Sequence, residues 1–312
     1  MPSSASLRVA VAQAAPVPFD REASTAKAVR LIGEAASRGA KLVLLPEAFI
    51  PAYPRGMTFG MVVGSRTPEG RNLWQRYWEQ SVDVPGPACE AIGAACRDSG
   101  IMAAVGVIER DSTTTRGTLY CTLLLFGSDG SLLLKHRKLK PTGSERLIWG
   151  EGDGASLQVV DTPLGRVGGL ICWENYMPAA RMTLYAQGVQ LYLAPTADPR
   201  DTWHATIRHI ACEGRCFVLA ANQYLTKSML PDDLQALPEL AAQPEVMCRG
   251  GSAIVSPLGD VLAGPCYDGE QLLTADLDLG EIVRGKLDFD VAGHYARSDL
   301  FQLHVRGRPL GT

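Results

Sequence analysis

The chain lacks any apolar run approaching the roughly 18 residues that a membrane-spanning helix needs. Its opening, Met1 to Arg8, has neither the charged nor the apolar region of a signal peptide. It lacks a charge excess: 30 Lys and Arg stand against 33 Asp and Glu, a net charge of −3. Nothing electrostatic therefore points to nucleic acid or an anionic membrane, and a small-molecule partner is expected. Its eight cysteines (89, 96, 121, 172, 212, 216, 248 and 266) have neither the density nor the spacing of a disulfide framework, which gives the expectation of a reducing, cytoplasmic setting. His209, Cys212 and Cys216 could share a helix face, but no paired Cys-x-x-Cys or carboxylate completes a metal set. Gly-x-Ser-x-Gly, Walker and Gly-x-Gly-x-x-Gly patterns are absent, so serine-hydrolase, phosphate-cradle and dinucleotide readings have no local support.

What is present is an ordinary globular composition over 312 residues, 46% hydrophobic and 20% charged. Leu7 to Ala14 reads as a strand, Asp20 to Arg38 as a helix stopped by Gly39, and Lys41 to Leu45 as a second strand running into Pro46 and Glu47. That opening predicts a layered α/β fold. The stretch 48–70 is irregular yet rich in aromatics, and is expected to wall a pocket. Helices are predicted over Asn72–Gln80 and Ala88–Asp98. Strands follow over Ile101–Glu109, Thr118–Phe126, Ser131–His136, Leu157–Val160 and Val167–Ile171. Beyond Cys172 the pattern gives a helix (Ala179–Gln187), a strand (Gln190–Ala194), a helix (Thr202–Glu213) and a strand (Cys216–Ala221). A polar insertion, Gln223 to Arg249, precedes strands at Ser252–Val255, Val261–Ala263 and Leu272–Asp276. No run of Gly, Ser or Pro divides the chain, so a single domain over residues 1–312 is expected.

Three strand ends carry reactive side chains: Glu47, the basic run Lys135 to Lys140, and Cys172. Ligand crevices of α/β sheets lie beyond such ends. Cysteine also packs as a small buried hydrophobe, so the residue alone decides nothing. Its company, Trp173, Glu174 and Asn175, is unusual for a strand that simply turns. A thiol with an ordinary pKa near 8.5 and a glutamate near 4.3 differ by about four units, so direct proton transfer is uphill by roughly 5 to 6 kcal/mol. Burial should raise the carboxylate, while a lysine cation and helix-end N–H groups should lower the thiol. Acid, cation and thiol then form a working unit.

With Glu47, Lys138 and Cys172 in that order, the chain resembles the nitrilase superfamily of carbon–nitrogen hydrolases. The likeness runs from Leu44-Leu45-Pro46-Glu47 and Tyr53-Pro54-Arg55-Gly56 through His136 to Thr142, Ile148 to Gly154 and Cys172-Trp173-Glu174-Asn175. It continues in Ala194 to Asp198, Gly250-Gly251-Ser252 and Gly293-His294-Tyr295. The Trp173 and Glu174 pair looks like the true nitrilase branch; an amidase or N-carbamoyl hydrolase using the same residues is the alternative.

The resemblance implies a four-layer αββα sandwich, with Glu47 as general base, Lys138 as the cation that steadies a developing anion, Cys172 as nucleophile and Glu145 as a fourth member. It implies substrate contacts from Tyr53, Trp149 and Trp173, a small-molecule nitrile as partner, and no metal or organic cofactor. Association into a homo-oligomer, a dimer or larger and possibly a spiral, is implied through helices that follow the cysteine. The chain ends soon after Arg308, so a longer C-terminal tail would contribute nothing to that assembly here.

Overall fold

A computed structural model describes residues 6–112 and 116–305, and the backbone of 308–309. The expected strand–helix–strand opening is β1 (Leu7–Gln13), α1 (Arg21–Ser37) and β2 (Leu42–Leu44). Asp20 caps α1 by accepting from the Ala23 N–H at 2.8 Å, and Gly39 beyond its end takes φ +80°. Next come α2 (Pro68–Gln80), α3 (Pro87–Ser99), β3 (Met102–Arg110), β4 (Leu119–Phe126) and β5 (Leu132–Arg137). Helix α2 starts four residues earlier than the sequence suggested, because Thr67 caps it and Pro68 fits its first turn.

The second half contains β6 (Val160–Thr162), β7 (Gly165–Gly169), α4 (Pro178–Ala186), β8 (Leu191–Leu193), α5 (Thr202–Gly214) and β9 (Phe217–Ala220). It closes with β10 (Tyr224–Thr226), β11 (Val246–Val255), β12 (Val261–Tyr267) and β13 (Gln271–Leu277). One sheet has the order β13-β1-β2-β3-β4-β5; the other runs β10-β11-β9-β8-β7-β6, with β12 also on β11. In the first sheet β1, β2 and β3 are parallel, and in the second β7, β8 and β9 are.

Alternation along the strands builds the layers. Val9, Val11, Leu42 and Leu44 of one sheet meet Leu191, Leu193, Phe217 and Leu219 of the other in a core between the sheets. Ala10, Ala12 and Val43 face outward onto Ile32 and Ala35 of α1 and Ile92 and Cys96 of α3. Tyr192 and Val218 face outward onto Leu184 of α4 and Ile207 and Ile210 of α5. The result is the αββα sandwich. Among the described residues no helix is long and apolar enough to cross a membrane.

One expectation needs correction. The strand expected to reach Ile171 ends at Gly169, and Cys172 opens a five-residue 3-10 turn, Cys172–Tyr176, ahead of α4 at Pro178, one residue before the expected start. The insertion 223–249 is an ordered arm, because Tyr224 and Leu225 pair with Arg249 and Cys248. Short helices at Asp232–Gln235 and Pro238–Ala241 bury Leu234 and Leu240. Glu239 accepts from both the N–H and the hydroxyl of Thr58, so the arm buttresses the 48–67 loop.

Candidate active site

The reactive residues stand just beyond strand C-termini from both sheets. Glu47 lies three residues past β2, Lys138 directly past β5, Cys172 three past β7 and Thr196 three past β8. The Glu47 loop can lie across β3 because residue 106 is glycine: a Cβ there would sit 2.3 Å from the Pro46 carbonyl oxygen. Gly169 plays the same part beside Cys172, since its Cβ would meet the Leu193 carbonyl oxygen at 2.3 Å.

Glu47 and Lys138 are fully buried. The Lys138 ammonium donates to Glu47 Oε1 at 2.7 Å and to Glu145 Oε2 at 2.8 Å, so one of its three N–H groups remains for another partner. Glu145 is partnered at both oxygens: its Oε1 accepts from the Tyr53 hydroxyl at 2.7 Å, and its Oε2 also accepts from the Thr142 N–H at 2.7 Å. Glu47 is not. Its Oε1 also takes the Cys121 S–H at 3.6 Å, while Oε2 is buried with no partner among the described residues. Gln223 fixes the Glu47 backbone by donating to its carbonyl at 2.8 Å.

Cys172 is 5% exposed and holds φ +52°, a left-handed conformation that costs a side-chain-bearing residue free energy and marks functional turns. The Thr196 hydroxyl donates to its sulfur at 3.1 Å, and its N–H donates to the Pro195 carbonyl at 2.8 Å. Asn175 bolts the turn by donating to the Cys172 carbonyl at 2.8 Å.

Electrostatics differ from expectation at the thiol. Burial pushes Cys172 up, Glu47 pushes it further, and Lys138 and Thr196 offset only part of this. A short 3-10 turn opens at Cys172 and α4 starts at Pro178, so the N-terminus of that helix does not sit at the thiol. Glu47 is raised, mainly by burial, against the pull of Lys138. Burial works against the Lys138 charge, but Glu47, Cys172 and Glu145 hold it well above the usual lysine range. The resting site is thus a neutral thiol beside a base of raised proton affinity and a permanently charged ammonium.

The three aromatic residues expected to contact substrate take different places. Tyr53 spends its hydroxyl on Glu145, and its ring lines a cavity of about 350 Å³ together with Pro54, Met57, Phe59, Met61 and Glu145. Trp149 is buried, 5.7 Å edge-on to Tyr53 and 5.9 Å from the Lys138 ammonium, and faces an adjoining cavity of about 730 Å³. Trp173 is 39% exposed; its indole N–H donates to Asp198 at 2.9 Å, and Arg200 lies over its ring at 4.6 Å. Sequence reasoning did not single out Thr196, Cys121 or Gln223 for the site; Thr196 lay inside the Ala194 to Asp198 stretch of the family likeness without a role assigned to it, and the other two lie within or just past strands.

The family model for carbon–nitrogen hydrolases matches residues 8–286. The chain is 54% identical to a nitrilase of Bradyrhizobium diazoefficiens, over 97% of this chain and 92% of that protein. It is also 54% identical to an aliphatic nitrilase of Sinorhizobium fredii, over 97% and 96% of the two chains. A bifunctional nitrilase/nitrile hydratase of Nicotiana tabacum is 50% identical over 97% of this chain and 87% of its own. Among solved structures, the C. elegans NitFhit protein superposes with a TM-score of 0.74 at 23% identity, covering 97% of this chain and 68% of that one. An amidase from Nesterenkonia sp. superposes at 0.65 with 20% identity, over 90% and 94%.

Proposed function

The chain belongs to the carbon–nitrogen hydrolase family, and from that premise we propose that it hydrolyses an organic nitrile to the carboxylic acid and ammonia at Cys172. The observation that carries the reading is the free, buried Oε2 of Glu47 next to a neutral thiol and a lysine with one uncommitted N–H. Those are a proton acceptor, a nucleophile and a donor for developing negative charge.

Cys172 Sγ attacks the nitrile carbon as Glu47 takes the thiol proton. Both proton affinities are raised, so transfer is completed only as the carbon–sulfur bond forms. Negative charge collecting on nitrogen is met by Lys138 and by the Trp173 N–H on the turn that begins at Cys172. Glu47 returns the thiol proton to that nitrogen, which gives a thioimidate and frees the carboxylate again. Glu47 then draws a proton from a water that adds to the same carbon, ammonia leaves, and the remaining thioester is cut by a second water. The sum is one nitrile and two waters to one acid and one ammonia. Glu145, partnered by Tyr53 and Thr142, holds the lysine in place. The cavity beside Tyr53 is walled by Met57, Phe59 and Met61, which suits an apolar nitrile.

Assembly with a second copy of this chain belongs to the same proposal. Helix α4 and residues 291–303 form an apolar groove edged by Met182, Tyr295 and Phe301, and light scattering should read a mass above one chain.

The test is ammonia release with product mass spectrometry from phenylacetonitrile, benzonitrile, an aliphatic dinitrile and the matching amides. Acid from nitriles, lost in Cys172→Ala, is the expected outcome. Turnover of amides alone would overturn the reading.

A further inference from the structure

Glu174 lies two residues past the nucleophile, yet its side chain turns away from the thiol and into the seam between the sheets. It is fully buried. Its Oε1 accepts from the Leu139 N–H at 2.5 Å and its Oε2 from the Ile171 N–H at 2.6 Å. Leu139 follows Lys138, and Ile171 precedes Cys172. One carboxylate thus grips the chain beside the ammonium, beyond the last strand of the first sheet, and beside the nucleophile, beyond β7 of the second.

His136 locks that carboxylate. Its Nε2 lies 3.0 Å and 3.2 Å from the two oxygens, and its Nδ1 lies 3.0 Å from the Ser156 hydroxyl. Ser156 spends its own proton on the Asp153 carbonyl at 3.0 Å, so toward the ring it can only accept. His136 therefore holds the Glu174 carboxyl from behind, at a site with almost no exposure of either partner. A hydrogen bond to each of two loops from different sheets ties them with a directional preference that an apolar seam lacks.

We propose that Glu174, locked by His136, is a positioning residue that sets the placement of Lys138 relative to Cys172, and thereby the reactivity of the thiol. It touches neither substrate nor the reacting atoms. The proposal rests on the nitrile-hydrolysis reading only for its turnover arm, since thiol reactivity can be read without a nitrile.

Glu174→Gln keeps size and shape but turns one oxygen into an amide donor facing an N–H, so one of the two grips is lost. The experiment measures the alkylation rate of Cys172 by iodoacetamide, read by peptide mass spectrometry, alongside kcat and KM for a nitrile. Glu174→Gln is expected to slow alkylation and lower kcat together, by about 10- to 100-fold, with KM held within about threefold, as for loss of groups that orient catalytic residues. His136→Asn, which leaves both grips but removes the lock, is expected to lower both by a smaller factor, again at constant KM. Wild-type alkylation and kcat in a folded Glu174→Gln protein would overturn the proposal. Should that variant fail to fold, wild-type values in His136→Asn would do the same. Normal alkylation differences in a protein that turns over no nitrile would instead sink the functional reading and spare this one.

Discussion

Cys172 and Cys216 are both buried thiols beside parallel strands of the same sheet, and they stand in very different surroundings. Burial pushes both thiols up. Around Cys216 the charged neighbours that act on it are Lys286 and Glu213, and its backbone does not take the left-handed conformation. It fills space between α5 and β9. Cys172 has the same burial but holds φ +52°, takes a hydrogen bond from Thr196, and faces Glu47 and Lys138. Burial is common to both thiols; what the proposed reading draws on is the carboxylate with a free acceptor and the partnered ammonium that only Cys172 faces.

The sharpest way to break that comparison is a pair of alanines. Cys172→Ala should reduce nitrile turnover by about ten-thousand-fold or more, the scale of losing a covalent nucleophile. Cys216→Ala should leave kcat within about twofold and cost roughly 1 kcal/mol in denaturant unfolding, the order of one buried methylene. Equal losses in both would erase the distinction.

Removing the cation tests the partnership. Lys138→Ala would leave Glu47 and Glu145 buried without their shared ammonium, and breaking such a group is expected to destabilise the fold by about 3 to 5 kcal/mol as well as abolish turnover. A melting temperature equal to wild type would show that the ion triad is not held as described.

The base gives a pH signature. Because burial raises Glu47, it takes up its proton at a higher pH than an ordinary glutamate, and a protonated base cannot act. The kcat/KM profile should therefore fall as pH drops, on a limb centred above 4.5, the ordinary value. Glu47→Gln should lower kcat by about 100- to 10,000-fold and abolish that limb. A limb that survives the substitution belongs to another group.

Within the site, the smallest effect is at Tyr53. Tyr53→Phe deletes one hydrogen bond to the Glu145 carboxylate while keeping the ring, and should lower kcat about tenfold, equivalent to roughly 1.4 kcal/mol.

Strand ends were the legible part of this molecule. Glu47, Lys138 and Cys172 each close an apolar or alternating run, and alternation also separated the strands from the helices of both outer layers. Glu145 came only from the family likeness, since its place depends on a 3-10 turn, Gly143–Leu147, that has no periodic signal. The 3-10 turn at Cys172–Tyr176 hid in the same way; the rise of the thiol comes from its burial and from Glu47, which only the folded site brings together. Strand β11 was expected from Ser252 but begins at Val246, because Gly250 and Gly251 at φ +97° and +110° interrupt its alternation. The ties of Thr196 to Cys172, Gln223 to the Glu47 carbonyl, and Glu174 to Leu139 cross between segments far apart in sequence, and no local pattern encodes such contacts.

The most direct measurement is acid-quenched mass spectrometry of the enzyme during turnover of a slow nitrile. The account predicts a substrate-derived adduct on the peptide containing Cys172, absent from the peptides containing Cys216 and from the Cys172→Ala protein. Turnover without any adduct at Cys172, or an adduct carried by another cysteine that tracks the rate, would contradict it.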